Sequence, residues 1–199
     1  EEIKATVETN FPNYGHVLSS TEEFINNINS RVMESFTEST TTATINAPLE
    51  NIDLTEWLFT LKDKEYQECS ASHIAAGNST TEDGRRISIN VEQIAGNLLI
   101  QHYVEDISKR NHCAVNSVSD SLSPLGRTTL IIKWELKVKK LTDSSCELSN
   151  HVVISLTEHF LQLLAGAGVS DLEPVRMGMK DNLEAHNKED TPLFAANIQ

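Results

Sequence analysis

Residues 127–156 read RTTLIIKWELKVKKLTDSSCELSNHVVISL and contain two alternating patterns joined by a polar turn. In the first pattern an apolar side chain recurs at every second position from Leu130 to Val138. In the second pattern the alternation runs from Cys146 to Leu156, with one polar exception. Alternation of this length is typical of a strand with one covered side and one solvent-facing side. The segment therefore predicts two long strands joined by a turn.

The polar exception in the second strand is Asn150. A buried amide needs hydrogen-bond partners, so Asn150 is either bonded within a core or turned toward a cavity. In a cavity its amide could polarise a carbonyl group of a ligand. In a core the same amide would have a purely structural role, and the sequence leaves both alternatives open.

Composition limits the classes of function. The chain has 199 residues, enough for one domain with an appended arm. Its net charge of -13 disfavours nucleic acid and membranes as partners, because both attract basic surfaces. Its apolar runs are far shorter than the roughly 18 residues of a membrane span. The cysteines at Cys69, Cys113 and Cys146 are too scattered for a disulfide framework, which predicts a reduced, cytoplasmic protein.

Residues 1–37 are predicted to form an arm that precedes the main domain, residues 38–199. Within this arm Ser20 and Glu23 form a capping box, and an amphipathic helix is predicted over 21–36. The helix either packs on the outer face of the main domain or mediates self-association. A homodimer formed through this N-terminal helix is therefore one expected assembly.

The main domain is predicted to have an α+β fold. A short strand over 42–47 is followed by two short helices and by a run of strands between 73 and 156. A long helix over 170–190 comes last, and Pro192 is expected to end it. An antiparallel run of strands must bury its apolar face. A curved sheet of about six or seven strands around the last helix would do so.

This order of elements resembles the START-like or helix-grip superfamily, which includes the birch pollen allergen and the aromatic polyketide cyclases. The likeness rests on the segment TINAP at 44–48, on the strand over 128–138 with its Trp134, and on the last helix. It extends over roughly residues 38–190. In this superfamily the sheet and the long helix enclose a cavity. The resemblance therefore implies an internal site for a hydrophobic, aromatic or polyketide-like small molecule.

The apolar faces of the predicted strands and of the last helix assign a wall to this cavity. The predicted ligand-binding residues are Val91, Ile100, Trp134, Leu136, Val152, Met179 and Leu183. His102 lies in the same row as Ile100, and histidine titrates near neutral pH, so it is a candidate for proton transfer. In a cyclase-type reaction His102 would move a proton while Asn150 holds a carbonyl group. The alternative is a core histidine bonded to a neighbour.

A zinc site is the competing interpretation. His186 and Asp190 are four residues apart, which places an imidazole and a carboxylate on one helix face. They could coordinate zinc together with strand residues, for which His73, His102 and Glu105 are candidates. The phloroglucinol-type carbon–carbon hydrolases of the superfamily look like this, which implies a zinc-dependent hydrolase that cleaves a carbon–carbon bond of an acylated phenolic substrate. The alternatives are thus a cyclase-like enzyme without a cofactor, a zinc hydrolase, and a binding protein without catalysis.

Overall fold

Seven antiparallel strands form a curved sheet in the computed structural model, which describes residues 35–198. In chain order they are β1 (Thr37–Ile45), β2 (His73–Thr80), β3 (Arg86–Ile94), β4 (Asn97–Lys109), β5 (His112–Ser123), β6 (Gly126–Thr142) and β7 (Ser145–Leu156). Their order across the sheet is β1-β7-β6-β5-β4-β3-β2, so β1 and β2 form its edges. Strands β2 to β7 pair with their neighbours in chain order, as short turns between antiparallel strands allow.

Four α-helices and one 3₁₀ helix complete the part of the chain that the structure describes. They are the 3₁₀ helix Leu49–Asn51, α1 (Leu54–Thr60), α2 (Asp63–Glu68), α3 (Glu158–Gly166) and α4 (Glu173–Asn197). The predicted α+β class, with a curved antiparallel sheet and a long C-terminal helix, is confirmed.

Strands β6 and β7 have the faces that their alternation predicts. Trp134 pairs with Val152, and Leu136 pairs with Asn150. Their side chains point to the inner face of the sheet, which we define as the face that carries the core, and Trp134 and Leu136 are buried there. Lys133 and its alternating neighbours lie on the outer face. The long alternation between polar and apolar side chains thus identified the covered side of this hairpin.

Strands β3 and β4 have the opposite phase from the predicted one. Their buried inner-face side chains are Ser88, Asn90 and Glu92 on β3 and Leu99, Gln101 and Tyr103 on β4. Val91, Ile100 and His102 consequently lie on the outer face, and the prediction that they line a cavity was wrong. Alternation shows the period of a strand, but a core assignment assumes that the apolar row is the covered one. Here the covered row is largely polar. Its burial is tolerated because these side chains hydrogen-bond to one another, Ser88 to Asn90 and Gln101 to Glu92.

The last helix, α4, continues past the proline that was expected to end it. Pro192 lies inside the helix, which runs over Glu173–Asn197. An interior proline costs about 3 kcal/mol through its lost hydrogen bond and its ring clash. The following turn offsets this cost, because Phe194 is buried and Nε1 of Trp57 donates a hydrogen bond of 2.7 Å to Oδ1 of Asn197. Tertiary packing therefore outweighs the local preference.

Two sequence predictions fall outside the residues that the structure describes. The helix predicted over 21–36 and the homodimer predicted through it depend on residues 1–34, which precede the described part. Within residues 35–198, none of the helices combines the length and the apolar character that crossing a membrane requires.

Candidate functional site

A cavity of about 60 Å³ lies between the inner face of the sheet and the second half of α4. One part of its wall is apolar and includes Ile132, Trp134 and Leu183. The other part is polar, and its residues are Tyr66, His73, Asn90, Glu92, Gln101, Tyr103, Asn150, His186, Asn187 and Asp190. The cavity therefore joins an apolar wall to an unusually dense set of buried polar groups.

Two imidazoles and two carboxylates converge in this polar part. The donor atoms of His73, Glu92 and His186 all lie within 4.8 Å of one another. Nε2 of His186 is 3.3 Å from Oε2 of Glu92, and Nε2 of His73 is 3.7 Å from the same oxygen. Oδ2 of Asp190 lies 3.5 Å from Nε2 of His186. We call these four residues the His–acid cluster.

Three elements of the fold position the His–acid cluster. His73 on β2 pairs directly with Glu92 on β3, so both side chains point to the same face of the sheet. His186 and Asp190 are one helical turn apart on α4 and point to the same side of that helix. The cluster forms where this helix face crosses the two strands.

Hydrogen bonds outside the cluster orient its members. Nδ1 of His73 lies 2.8 Å from the backbone oxygen of Tyr66. A carbonyl oxygen only accepts, so Nδ1 carries the proton and Nε2 presents its lone pair to the cluster. Gln101 donates to Oε1 of Glu92 at 2.6 Å, and the hydroxyl of Tyr66 donates to Oε2 at 3.1 Å. Such supporting bonds fix the side-chain orientation of ligating residues in metal sites.

The two carboxyl groups of the cluster differ in their protonation. Burial opposes the ionisation of Glu92, but hydrogen bonding and charge from His186 outweigh it and hold the pKa of Glu92 below its ordinary value. Burial is also the largest influence on Asp190, and it raises the pKa of that carboxyl to about 7 because His186 opposes it only in part. Glu92 therefore carries a full negative charge at neutral pH, whereas Asp190 exchanges its proton there.

The two histidines also differ. Burial lowers the pKa of His73 below its ordinary value, which keeps the ring neutral and its Nε2 available as a ligand. Burial acts on His186 in the same direction, but hydrogen bonding and charge from Glu92 outweigh it and raise the pKa of His186. A neutral imidazole is thus paired with one that is readily protonated.

The donor set of the cluster fits a zinc ion. Zinc binds imidazole nitrogens and carboxylate oxygens at about 2.0–2.2 Å, which places adjacent donors of a tetrahedral site roughly 3.3 Å apart. The three separations of 3.3, 3.5 and 3.7 Å lie close to that value. His73, Glu92 and His186 would supply three ligands, and Asp190, which lies beside His186, is the candidate for the fourth.

The structure thus brings together the three predicted metal ligands, His73, His186 and Asp190, and adds one that the sequence analysis missed. Glu92 was assigned to the outer face because it alternates with Val91. The available signal was the polar row of β3, in which a carboxylate recurs in phase with two other polar side chains. Glu105, another strand candidate, instead lies 2.6 Å from Arg86 in an ion pair.

The two predicted catalytic residues are placed differently from the metal candidates. His102 is exposed on the outer face of β4 and does not reach the cavity, which corrects its placement. Asn150 lines the cavity, but its amide is fully engaged. Oδ1 accepts a 2.7 Å hydrogen bond from Nε1 of Trp134, and Nδ2 lies 3.0 Å from Oγ1 of Thr191 and 3.4 Å from Oδ1 of Asn187. This arrangement matches the structural alternative for Asn150.

Three of the seven predicted ligand-binding residues line the cavity, namely Trp134, Val152 and Leu183. Leu136 is buried in the core beside the cavity rather than in its wall. Met179 is partly buried on α4 and also lies outside the wall. The remaining two are the outward-facing residues of β3 and β4 described above.

Replacing Asn150 with alanine should lower the free energy of unfolding by about 2–4 kcal/mol, because it leaves the buried donor Nε1 of Trp134 without its acceptor and the buried Oγ1 of Thr191 without the donor Nδ2. Urea denaturation of the variant and the parent protein measures this difference. Gln93→Ala removes an exposed amide from β3 and is the control, with an expected change within about 0.5 kcal/mol. A similarly small change for Asn150→Ala would contradict a structural role for the amide.

Comparison with known proteins supports the fold at low sequence identity. No protein-family model matches the chain, and no curated protein sequence matches it significantly. The chain resembles the ZhuI aromatase/cyclase from Streptomyces sp. R1128 with a TM-score of 0.54 and 13% identity, over 81% of this chain and 92% of that one. It also resembles the di-domain ARO/CYC BexL from the BE-7585A biosynthetic pathway, with a TM-score of 0.51 and 12% identity.

The match to BexL covers 99% of this chain, which spans 59% of the length of the di-domain protein. A START superfamily protein from Mycobacterium smegmatis matches over 73% of this chain with 14% identity and a TM-score of 0.44. Identities this low show the fold alone. The described part of the chain therefore has a helix-grip fold, which it shares with the two aromatase/cyclases.

Proposed function

We propose that this protein is a zinc-dependent hydrolase that acts on a small acylated phenolic molecule and cleaves the carbon–carbon bond between its ring and its acyl group. The observation that carries the proposal is the His–acid cluster in the cavity wall. The reaction follows from the resemblance to the phloroglucinol-type hydrolases, in which a histidine and an acid on the last helix complete a metal site.

The residues of the His–acid cluster would bind the ion, and neighbouring side chains fix the orientation of these residues. His73, Glu92, His186 and Asp190 are the ligands in this proposal. When bound, zinc supplies Lewis acidity that polarises a carbonyl oxygen and acidifies water. Gln101 keeps the carboxylate of Glu92 oriented through the 2.6 Å hydrogen bond to Oε1. These contacts hold the donor atoms in place before any ligand arrives, which lowers the cost of assembling the site.

Burial supports chemistry at this position. His73 is 6% exposed, Glu92 5% and Asp190 4%, so little water reaches the cluster. Electrostatic interactions are stronger in such a site than at the surface. The aromatic rings of Trp134 and Phe194, whose centroids are 5.8 Å apart, provide apolar surface for the ring of a substrate.

The size of the cavity limits the substrate. Ligand pockets commonly measure about 300–1,000 Å³. A cavity of about 60 Å³ instead holds a few water-sized groups. Even a single-ring substrate therefore requires the cavity to widen on binding, and a multi-ring polyketide would require much more. This limit favours a monocyclic substrate.

Cyclase-type proton transfer without a metal is the second candidate, and the fold likeness to two aromatase/cyclases favours it. The residue first assigned to that role, His102, lies outside the cavity. His186 and Asp190 would have to replace it as proton donor and acceptor, since burial raises the pKa of Asp190 to about 7 and the neighbouring Glu92 raises the pKa of His186. The metal content of the protein separates the two candidates.

Protein purified without chelator should contain about one zinc ion per chain by elemental analysis, as the four-ligand cluster predicts. Removing the ion with a chelator should lower the melting temperature, and adding zinc back should restore it. At a free zinc concentration one hundred times the Kd, binding stabilises the fold by about 2.7 kcal/mol. Protein free of zinc, manganese and iron, with a melting temperature unchanged by any of them, would contradict the hydrolase proposal.

A further inference from the structure

Tyr103 lines the cavity, and its hydroxyl makes no hydrogen bond within residues 35–198. The residue is 4% exposed and lines the cavity. Its ring packs against Trp134, but its hydroxyl has no hydrogen-bond partner in the described part of the chain. Buried polar groups in native proteins nearly always have a partner, because leaving one unpaired is costly. Among the described residues Oγ1 of Thr37 is the only side-chain atom that is both fully buried and unpaired, so the unpaired hydroxyl of Tyr103 must retain accessible surface. In the cavity that Tyr103 lines, this hydroxyl is available to a ligand.

The position of Tyr103 indicates which part of a ligand it would meet. Leu99 on β4 pairs with Glu92, and Tyr103 lies two inward-facing positions further along the same strand. Its ring centroid is 5.4 Å from that of Trp134, in a tilted arrangement. Tyr103 thus belongs to the aromatic part of the cavity wall, further along the sheet than the His–acid cluster.

A second unpaired donor lies between the His–acid cluster and Tyr103 along the sheet. Asn90 is 2% exposed, lines the cavity and pairs with Gln101 on the neighbouring strand. Its Oδ1 accepts a 3.0 Å hydrogen bond from Ser88, whereas its Nδ2 has no partner in the described residues. Tyr103 and Asn90 are diagonal neighbours across β3 and β4, so both donors serve one region of the cavity.

We propose that Tyr103 is a specificity-determining residue whose hydroxyl donates a hydrogen bond to a phenolic oxygen on the ring of the ligand, with Nδ2 of Asn90 beside it. This inference rests on the proposed function for the orientation of the ligand, whose acyl group faces the His–acid cluster. Burial and the charges of Glu92 and Asp190 raise the pKa of Tyr103 well above its ordinary value, which keeps the hydroxyl protonated.

The test compares two probes that differ by one ring hydroxyl, 4′-hydroxyacetophenone and acetophenone. Calorimetric titration of the full chain should show that 4′-hydroxyacetophenone binds about tenfold more tightly, the contribution of one or two neutral hydrogen bonds. Tyr103→Phe should reduce this preference to about twofold or less and leave the affinity for acetophenone unchanged. Its melting temperature should not fall, because the removed hydroxyl has no partner in the described part of the protein.

Tyr66→Phe is the matched control. The hydroxyl of Tyr66 donates to Glu92 at 3.1 Å, so its loss should weaken zinc binding by about 10–100-fold and leave the preference for the ring hydroxyl intact. A Tyr103→Phe variant that keeps the preference, or that loses affinity for both probes equally, would overturn the proposal. Failure of the parent protein to bind either probe would also overturn it.

The titrations are carried out on zinc-loaded and on chelator-treated protein. A ring-hydroxyl preference that depends on Tyr103 in both forms supports the inference even if the protein lacks a stoichiometric metal and the hydrolase proposal fails. Stoichiometric zinc together with a preference unaffected by Tyr103→Phe supports the hydrolase and overturns the inference. The two proposals therefore fail independently.

Discussion

Replacing His186 with alanine is expected to reduce the zinc affinity of this protein by more than about 100-fold, the upper end of the effect of changing a supporting residue. Nε2 of His186 lies 3.3 Å from Glu92 and 3.5 Å from Asp190, at the centre of the cluster. Its removal deletes one of four ligands and leaves the two carboxylates closest to it without the imidazole between them. Hydrolysis of an acylated phenol should be lost with the metal.

The fold should survive this substitution. Glu92 keeps its hydrogen bonds from Gln101 and Tyr66 but loses its buried ion-pair partner, so the metal-free variant should lose about 3–5 kcal/mol of unfolding free energy. Elemental analysis and zinc titration measure the first effect, and urea denaturation in the presence of chelator measures the second. The first effect distinguishes a ligand from a histidine that only packs at this position.

His112→Ala is a matched control, because Nε2 of His112 also lies close to a carboxylate, 2.8 Å from Oε1 of Glu135, but on the outer face of the sheet. This variant should retain zinc and activity. His102→Ala should behave in the same way, since His102 is exposed on the outer face of β4. A His186→Ala variant with the zinc affinity of the parent protein would rule out the proposed site.

Asp190→Asn should stabilise the metal-free protein above pH 7 and weaken zinc binding. Burial raises the folded-state pKa of Asp190 to about 7, from an ordinary value of 3.8. The stability that this group contributes is therefore fully present below pH 3.8 and is lost as the pH rises to about 7. Above that pH the folded protein carries a buried carboxylate, at a cost of the order of 4 kcal/mol for about three pKa units.

Urea denaturation at several pH values in chelator tests this prediction. The stability difference between Asp190→Asn and the parent should grow between about pH 4 and pH 7 and then level off. Asp181→Asn, an exposed carboxylate on the same helix, should change stability by less than about 0.5 kcal/mol at every pH. With zinc present the order should reverse, because a neutral amide is a poorer ligand than a carboxylate. A pH-independent difference, or a destabilised metal-free variant, would contradict the burial argument.

The sequence was sufficient for the features that depend on local periodicity. The alternation in β6 and β7 identified two strands and predicted an inward-facing Trp134, because a strand repeats every two residues and the residues on both sides of Trp134, Lys133 and Glu135, are charged. The four-residue spacing of His186 and Asp190 placed both on one helix face, which follows from helix geometry alone. These properties require no knowledge of what packs against them.

Long-range packing determined the remainder of the site. The pairing of His73 with Glu92 depends on the register between β2 and β3. Whether the side chain of Glu92 faces the core depends on which face of the sheet α4 covers. Neither can be read from alternation, because a shift of one residue exchanges the two faces while leaving the period unchanged.

Contacts between distant parts of the chain also explain why α4 continues past Pro192, which the sequence did not predict, and which of the two alternatives left open for Asn150 the structure adopts. Pro192 remains in the helix because Phe194 and Ala195 are buried beyond it. Asn150 is engaged because Trp134 and Thr191 approach it from a second strand and from a helix. Residue type and spacing therefore indicated which groups could do chemistry, whereas contacts between residues far apart in the chain determined which of them face the cavity.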